Sequence, residues 1–324
     1  MKNVCIVGWG AIGPIHAAGI EKAENANFYA VCDVDYERIK DCRKQYQVSE
    51  YTKFDIMLRD EKIDSIHICT PHYLHYEMIE KALEAGKNVV CEKPAVMTAE
   101  ELYKLSHLKD CEKICFVIQN RLNNSIVKMK ELLESGELGR IISAKGLLTW
   151  WRDEAYYNSG EWRGKWATEG GGVLINQAIH TLDLMIYLSG KVNSVKADMN
   201  NYSLENIIEV EDTVSAYLGF EAGHKGIFFA TNAFEGGSEP HVEFVCEKGR
   251  VCYMNNKLYL NGVTLETDSK STIGKDYWGN SHEALIKRYY DDGEYFSLRD
   301  IKNTMKTMFA IYESAKNGGI KISI

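Results

Sequence analysis

A glycine-rich turn near the N-terminus constrains the fold of this chain more than any other feature. The sequence G-W-G-A-I-G (8–13) joins an apolar segment typical of a buried strand (3–8) to a segment typical of an α-helix (13–24). Glycines with this spacing permit a tight turn, a close backbone approach and close packing of the helix on the sheet. The sequence therefore predicts a strand, a turn and a helix here, which we favour over a signal peptide of similar composition.

The same turn predicts a site for a dinucleotide cofactor. The free N–H groups at the start of the following helix favour the negative charge of a pyrophosphate. Asp33 ends the next predicted strand, 20 residues after Gly13, where a carboxylate binds the hydroxyl groups of an adenine ribose. Because that carboxylate would repel a 2′-phosphate, we expect NAD, with NADP less favoured. The alternative is a structural turn in which Asp33 caps the next helix.

Ligands of parallel α/β sheets gather beyond the carboxyl ends of the strands. The cofactor contacts predicted there are Gly8, Trp9, Gly10, Ala11, Ile12, Gly13, Asp33, Thr70, Pro71, His75, Glu92 and Lys93. His72 and His75 also have a spacing that suits a metal, but a loop followed by a helix cap explains them more simply.

The first 120 residues alternate between strand-like and helix-like segments. The predicted strands are 3–8, 28–33, 64–70, 88–92 and 114–120, and the predicted helices are 13–24, 35–46, 54–60, 75–86 and 98–109. This alternation is typical of βαβ units, because parallel strands need a crossover connection. We therefore predict an α/β domain with a parallel sheet over residues 1–120.

The pattern changes after residue 121, where alternating apolar and polar runs with turn signals predict an antiparallel sheet. The predicted strands are 140–151, 193–199, 212–220, 225–234, 241–254 and 256–267, and the predicted helices are 125–135, 173–188, 281–290 and 298–316. We expect a second domain over residues 121–324, with a C-terminal helix that can pack back on the first domain.

Composition excludes several classes of protein. The 324 residues carry a net charge of −8 and contain no apolar run long enough to span a membrane, so neither nucleic acid nor a membrane is an expected partner. The nine cysteines are an odd number in a long chain, which disfavours a disulfide framework and favours the reducing cytoplasm. Cys111 and Cys115 have no further ligands nearby, so we predict no metal.

Glu92, Lys93 and Pro94 end the predicted strand 88–92, at the sheet edge where the nicotinamide half of a dinucleotide would lie. Pro94 restricts the backbone of Lys93 to extended conformations and would hold the lysine pointing into the crevice. There the ammonium could bind a substrate hydroxyl. The alternative is a surface Glu–Lys pair.

A second polar group lies in the apolar segment 173–188. Asn176 and His180 are four residues apart and would share one face of a helix, and Asp183 could orient His180. The three glycines that precede the segment permit close approach of a ligand or of another backbone. The alternative is an amphipathic helix with a solvated polar face.

The chain resembles the glucose–fructose oxidoreductase/inositol dehydrogenase (Gfo/Idh/MocA) family. The resemblance rests on the glycine turn (8–13), the segment CTPHYLHYEMIEKALEAGKNVVCEKPAV (69–96) and the segment WRGKWATEGGGVLINQAIHTLDLMIYLSG (162–190). It implies a Rossmann domain followed by an α+β domain with a large open, mainly antiparallel sheet. It also implies bound NAD(P), a sugar, polyol or sugar-derivative substrate, and a homodimer or homotetramer formed through the open sheet.

The resemblance further implies that Lys93 and His180 flank the reacting carbon. Many members of the family carry an aspartate at the position of Asn176, and an asparagine cannot act as a base, although it can hold a hydroxyl. Asparagine also occurs there in enzymes similar to nucleotide-sugar 3-dehydrogenases. We therefore predict catalytic roles for Lys93, His180 and Asn176, with His180 as the base, since its ordinary pKa suits neutral pH.

The aromatic loop 150–166 would border the substrate, because flat rings can stack on a sugar and arginines can donate to it; packing is the alternative role. The predicted substrate contacts are Arg121, Tyr156, Trp162, Arg163, Asn176, His180 and His282. The hypothesis is a hydride transfer between the nicotinamide and a hydroxyl carbon of an inositol, glycoside or nucleotide sugar. The alternatives are a 1,5-anhydrofructose-type reductase and a non-catalytic NAD-binding regulator. A zinc alcohol dehydrogenase would lack its ligands.

Overall fold

The computed structural model describes residues 1–238, 240–269 and 281–324. The chain forms two compact units. The first contains Met1–Val96, Glu100–Gln119 and Thr272–Ile301, and the second contains Met97–Ala99, Asn120–Ser271 and Lys302–Ile324. The first unit is therefore assembled from separated parts of the sequence. The predicted division at residue 120 stays a proposal.

The first unit is built on a parallel six-stranded sheet with the order β3-β2-β1-β4-β5-β6. Its strands are β1 (Lys2–Val7), β2 (Ala26–Cys32), β3 (Ser49–Tyr51), β4 (Ser65–Ile68), β5 (Asn88–Cys91) and β6 (Cys115–Phe116). The central strands are buried on both faces, as expected for a parallel sheet covered by helices. All the strands run the same way, so their carboxyl ends meet at one edge.

Helices connect these strands. They are α1 (Gly13–Lys22), α2 (Tyr36–Gln45), α3 (Phe54–Met57), α4 (His75–Glu84) and α5 (Ala99–Leu105). A later helix, α10 (Ser281–Lys287), also belongs to this unit and packs against α1, where a Cβ on Gly19 would lie 2.6 Å from Ile286. Glycine at position 19 therefore allows the two helices to approach closely.

The second unit contains a nine-stranded sheet with the order β14-β13-β12-β11-β7-β10-β9-β8-β15. Among the strand pairs within the described residues of this sheet, only β7 and β10 are parallel. The strands are β7 (Ile141–Thr149), β8 (Val192–Asn200), β9 (Thr213–Phe220), β10 (Lys225–Thr231), β11 (His241–Cys246), β12 (Gly249–Met254), β13 (Lys257–Leu260), β14 (Val263–Thr267) and β15 (Ile322–Ser323). Its helices are α6 (Asn124–Glu134), α7 (Glu154–Asn158), α8 (Val173–Asn176), α9 (Ile179–Ser189) and, from Lys302 onward, α11 (Leu298–Lys316).

The predicted fold class is confirmed, but several predicted boundaries are wrong. The helix predicted over 173–188 is interrupted at Gln177 and Ala178. The strand predicted over 241–254 is a hairpin of two strands, and the run 256–267 likewise forms two. The short strand β3 was not predicted, because its three residues carry no apolar pattern.

Candidate active site

The glycine turn links β1 to α1 with little space for side chains. Gly8 has a φ of +92°, and a Cβ there would lie 2.7 Å from the carbonyl oxygen of Cys69. Only glycine adopts this conformation without strain and fits so close to another backbone. The turn is therefore tightly packed and leads to the N-terminus of α1, where free N–H groups favour an anion such as a pyrophosphate.

The carboxylate of Asp33 closes the other side of this turn. Its Oδ2 accepts the backbone N–H of Trp9 at 2.7 Å, and its Oδ1 accepts the N–H of Asp35 at 2.9 Å. Asp35, rather than Asp33, caps α2 by accepting the N–H of Glu37, so Asp33 does not cap the next helix. Asp33 is buried and joins the ends of β1 and β2.

The side chain of Trp9 belongs to the core. Its ring stacks on Phe28 with centroids 5.7 Å apart, and meets the edge of Tyr46 at 5.8 Å. The packing of the ring anchors the turn, while the backbone N–H of Trp9 donates to Asp33. Any contact of Trp9 with the cofactor would therefore come from the backbone.

His75 holds two neighbouring strand ends together. Its Nδ1 lies 2.7 Å from the carbonyl oxygen of Pro94 and its Nε2 lies 2.9 Å from that of Thr70. Burial lowers the pKa of His75 and outweighs the effect of the two carbonyl groups. Both ring nitrogens face backbone carbonyl oxygens, and the neutral ring donates to one of them, which argues for a supporting role of this side chain beside Thr70 and Pro71.

Lys93 follows β5 at the same sheet edge. The Lys93–Pro94 peptide bond is cis, and the backbone N–H of Lys93 donates to Oε2 of Glu92 at 3.2 Å. In the sheet, β5 neighbours β4, which neighbours β1. Lys93 therefore lies at the carboxyl edge two strands from the glycine turn, and its side chain is partly exposed.

A chain of buried polar groups runs from Glu92 into the first unit. Tyr290 donates to Ser65 at 2.8 Å, so its oxygen accepts from Nε2 of His67 at 2.9 Å. The Nδ1 of His67 then accepts from Nδ1 of His16 at 2.8 Å. The Nε2 of His16 faces Glu92 at 3.0 Å, so this last bond requires one proton that the pair shares.

The negative charge in this chain rests on Glu92. Burial alone would raise the pKa of Glu92, but hydrogen bonds from His16 and His282 hold it well below its usual range. The Nε2 of His282 lies 3.5 Å from Oε1 of Glu92, and burial lowers the pKa of His282. The sequence predicted His282 as a substrate contact; within this unit it faces Glu92, and substrate contact stays a prediction.

Asn176 and His180 lie on opposite sides of the interruption between α8 and α9. Their shared face therefore does not follow from helical periodicity. Asn176 is nearly buried, and its Nδ2 donates to Oε1 of Glu169 at 2.5 Å. Gln177, within the interruption, donates to the hydroxyl of Tyr156 at 2.9 Å. The alternative of a solvated polar face is therefore not supported, because Asn176 and Gln177 are buried.

The aromatic loop brings three predicted substrate contacts together. The guanidinium of Arg163 lies 4.5 Å from the ring centres of both Tyr156 and Trp162, and donates to the Tyr156 hydroxyl at 2.6 Å. Tyr157 instead packs in a small apolar cluster, with Trp166 against it. Both proposed roles of the loop, binding and packing, thus have residues that suit them.

Arg121 forms a buried ion pair in the interior of the second unit. Its guanidinium makes two hydrogen bonds to Asp183, at 2.8 and 2.7 Å, and Thr304 donates to the same carboxylate at 2.7 Å. Both charged side chains are nearly fully buried. Asp183 thus pairs with Arg121. A substrate contact of Arg121 stays a prediction.

Sequence reasoning missed several buried acids and histidines. Glu211 accepts from the N–H groups of Gly172 and Leu174 and from the Tyr312 hydroxyl, and burial raises its pKa to about 7. Two of these residues could have been recognised in the sequence. Glu169 directly precedes the three glycines, and His67 is a polar residue inside the apolar strand β4.

One group of three possible metal ligands occurs within the described residues. The ligand atoms of His241, Glu243 and Cys252 lie within 4.8 Å of one another. The ammonium of Lys145 lies 2.8 Å from Glu243, and Arg250 lies at 3.6 Å. Two cations beside the carboxylate oppose a metal ion, so the group is an ionic cluster on the sheet. Among the described helices, none has the length and apolar character needed to cross a membrane.

A parallel sheet with this glycine turn and this carboxylate defines an NAD-binding oxidoreductase unit. Family models support that class: one for an oxidoreductase family with an NAD-binding Rossmann fold matches residues 2–119, and one for the GFO/IDH/MocA C-terminal domain matches residues 126–252. The chain belongs to the GFO/IDH/MocA family of oxidoreductases. The predicted family and the NAD cofactor are confirmed.

Relatives agree with this assignment. The chain is 26% identical to a myo-inositol 2-dehydrogenase of Thermotoga maritima over 94% of its own length and 88% of that protein. It is 32% identical to a levoglucosan dehydrogenase of Pseudarthrobacter phenanthrenivorans, over 47% of this chain and 40% of that protein. The WlbA dehydrogenase from Bordetella pertussis, solved in complex with NADH and UDP-GlcNAcA, matches with a TM-score of 0.88 and 26% identity, over 100% of this chain and 97% of that one.

Proposed function

We propose that this protein is an NAD-dependent dehydrogenase or reductase that acts on a CH–OH carbon of a sugar, polyol or sugar derivative. The observation that carries the proposal is the position of Lys93 at the carboxyl edge of the parallel sheet, two strands from the glycine turn. Relatives named for myo-inositol and levoglucosan, and one solved with UDP-GlcNAcA, support the substrate class.

The residues present fit the cofactor. The backbone of residues 8–13 would hold the pyrophosphate at the N-terminus of α1, because Gly8 lets the turn pack directly against the backbone of Cys69. The buried Asp33 would hold the adenine ribose. When bound, NAD supplies a nicotinamide ring that takes a hydride from the substrate carbon.

In the oxidative direction, the substrate loses a hydride and a hydroxyl proton, and a carbonyl group forms. His180 takes the proton, Lys93 stabilises the negative charge that develops on the substrate oxygen, and Asn176 positions the hydroxyl. Tyr156, Trp162 and Arg163 supply ring faces and a donor for the remainder of the sugar. These roles depend on Lys93 and His180 meeting at one substrate, which is part of the proposal.

We further propose a homodimer or homotetramer in the cytoplasm. The outer face of the second sheet carries exposed apolar side chains, including Tyr217, Ile227 and Val245, which suits a partner surface. All nine cysteines lie in the described part of the chain as free thiols, as expected in a reducing compartment.

The test is a screen of purified protein with NAD and inositols, glycosides, sugar acids and nucleotide sugars, monitored by nicotinamide absorbance. We expect one of these classes to reduce NAD, and the matching ketone to oxidise NADH. Reduction of 1,5-anhydrofructose alone would identify the reductase alternative. Tight NADH binding without turnover of any compound, in either direction, would contradict the proposal and favour a regulatory NAD-binding protein.

A further inference from the structure

We infer that Glu169 is a positioning residue that fixes the orientation of the Asn176 amide, so that the amide presents its oxygen to the substrate. The inference rests on the proposed function only in assigning Asn176 to the substrate site. Glu169 is fully buried, and it directly precedes the glycines that lead into α8.

Both oxygens of Glu169 accept hydrogen bonds. Its Oε1 accepts from Nδ2 of Asn176, and its Oε2 accepts from the backbone N–H of Gly164, each at 2.5 Å. A carboxylate only accepts hydrogen bonds, so it must face the nitrogen of the amide and not its oxygen. The hydrogen bond to the carboxylate thus fixes which end of the amide is nitrogen and which is oxygen, which the similar shapes of the two groups would leave open.

This orientation has a direct consequence for binding. Nδ2 and Oδ1 diverge from the planar amide carbon, so Oδ1 points in a different direction from the Nδ2 that meets Glu169. An oxygen there accepts a hydrogen bond from a substrate hydroxyl, whereas the flipped amide would offer a donor instead. Asn176 with Glu169 thereby reproduces the accepting oxygen that an aspartate at position 176 would supply.

The pair also predicts that an aspartate at position 176 does not suit this chain. In Asn176→Asp, two carboxylates would meet in a buried site and repel each other. In Glu169→Gln, the glutamine oxygen would take the N–H of Gly164 and its NH2 group would face position 176. Asn176 would then flip, keeping both hydrogen bonds but presenting a donor to the substrate. In the double variant, the aspartate accepts from glutamine and again offers an oxygen.

The experiment measures kcat and KM for wild type, Glu169→Gln, Asn176→Asp and the double variant, with the sugar found active. We expect each single variant to lose roughly tenfold to a hundredfold in kcat, as a misplaced contact at a reacting centre does. The double variant should recover to within about threefold of wild type, because the pair is coupled. Glu221→Gln, on an exposed turn of the same unit, is the control and should match wild type.

If Glu169 had a merely structural role, the losses of kcat in the two single variants would add up in the double variant, and the second substitution would not restore activity. A double variant no more active than either single variant, or a fully active Glu169→Gln, would overturn the inference. Thermal unfolding and NADH affinity of each variant separate misfolding from misorientation. If wild type oxidises no sugar, the proposed function fails, but the pair remains testable: Asn176→Asp should lower Tm, and adding Glu169→Gln should restore it. A double variant with an unrestored Tm would then reject the pairing.

Discussion

The guanidinium of Arg121 and the carboxylate of Asp183 form a two-bonded ion pair in the interior of the second unit, 62 residues apart in sequence. Asp183→Asn removes the negative charge and leaves a buried cation, so we expect a loss of about 3–5 kcal/mol in the free energy of unfolding, measured in denaturant. The exposed pair Arg140–Glu247 is the control: Glu247→Gln should cost no more than about 1 kcal/mol. Equal effects of the two substitutions would refute the structural role of the buried pair.

Lys93→Met removes the ammonium that we propose at the reacting oxygen. We expect kcat/KM to fall by roughly 10²–10⁴-fold, the usual contribution of such a group, while NADH binding stays nearly intact. Lys40→Met, in an exposed ion pair on α2, should leave both unchanged. An active Lys93→Met enzyme would end the catalytic assignment.

Asp33→Asn tests the ribose site. The asparagine keeps one oxygen for the N–H of Trp9 but loses the charge, so affinity for NAD should weaken by about tenfold, the value of a charged hydrogen bond. Discrimination against NADP should fall with it. Titrations of both cofactors measure the effect, and Asp35→Asn, which keeps a good helix cap, is the control. If Asp33→Asn kept the same preference for NAD over NADP, other residues would have to determine the cofactor specificity.

Glu211 should make stability depend on pH. Burial raises its pKa from 4.5 to about 7, so between these values the folded protein keeps a proton that the unfolded chain releases. The contribution of Glu211 is therefore fully present below pH 4.5 and declines by about 3 kcal/mol as pH rises to above 7.

Glu211→Gln removes this titration. The unfolding free energy of wild type minus that of the variant, measured in urea across this pH range, should decline by that amount as pH rises. Glu221→Gln should give a constant difference from wild type. A constant difference for Glu211→Gln would show that this carboxyl group does not titrate as described.

Local patterns were enough to predict most of the parallel sheet in the first unit and the helices that connect its strands. The glycine turn, Asp33 and the alternation of strands with helices depend on neighbours in the sequence, and the structure keeps them. The strand β3 escaped prediction because three residues held by pairing with β2 need no pattern of their own.

Non-local contacts explain what the sequence could not predict in the second unit. No glycine or proline marks the interruption at Gln177, whose amide groups bond to Tyr156 and Asn232. The bond between Glu169 and Asn176, and that between Glu211 and the N–H of Gly172, likewise depend on loops whose path no pattern encodes. The pairing of Arg121 with Asp183 required two distant helical segments to meet.

The contact between α10 and α1 limits where chimaeric proteins can be joined, because the two helices pack together although they are far apart in the sequence. Residues 1–120 contain the whole parallel sheet, yet α10, which covers Gly19 and supplies His282 to Glu92, is encoded far downstream. A fragment ending at residue 120 would expose an apolar groove and a buried carboxylate to water. Chimaeras with other members of the family would therefore have to inherit both stretches from the same parent.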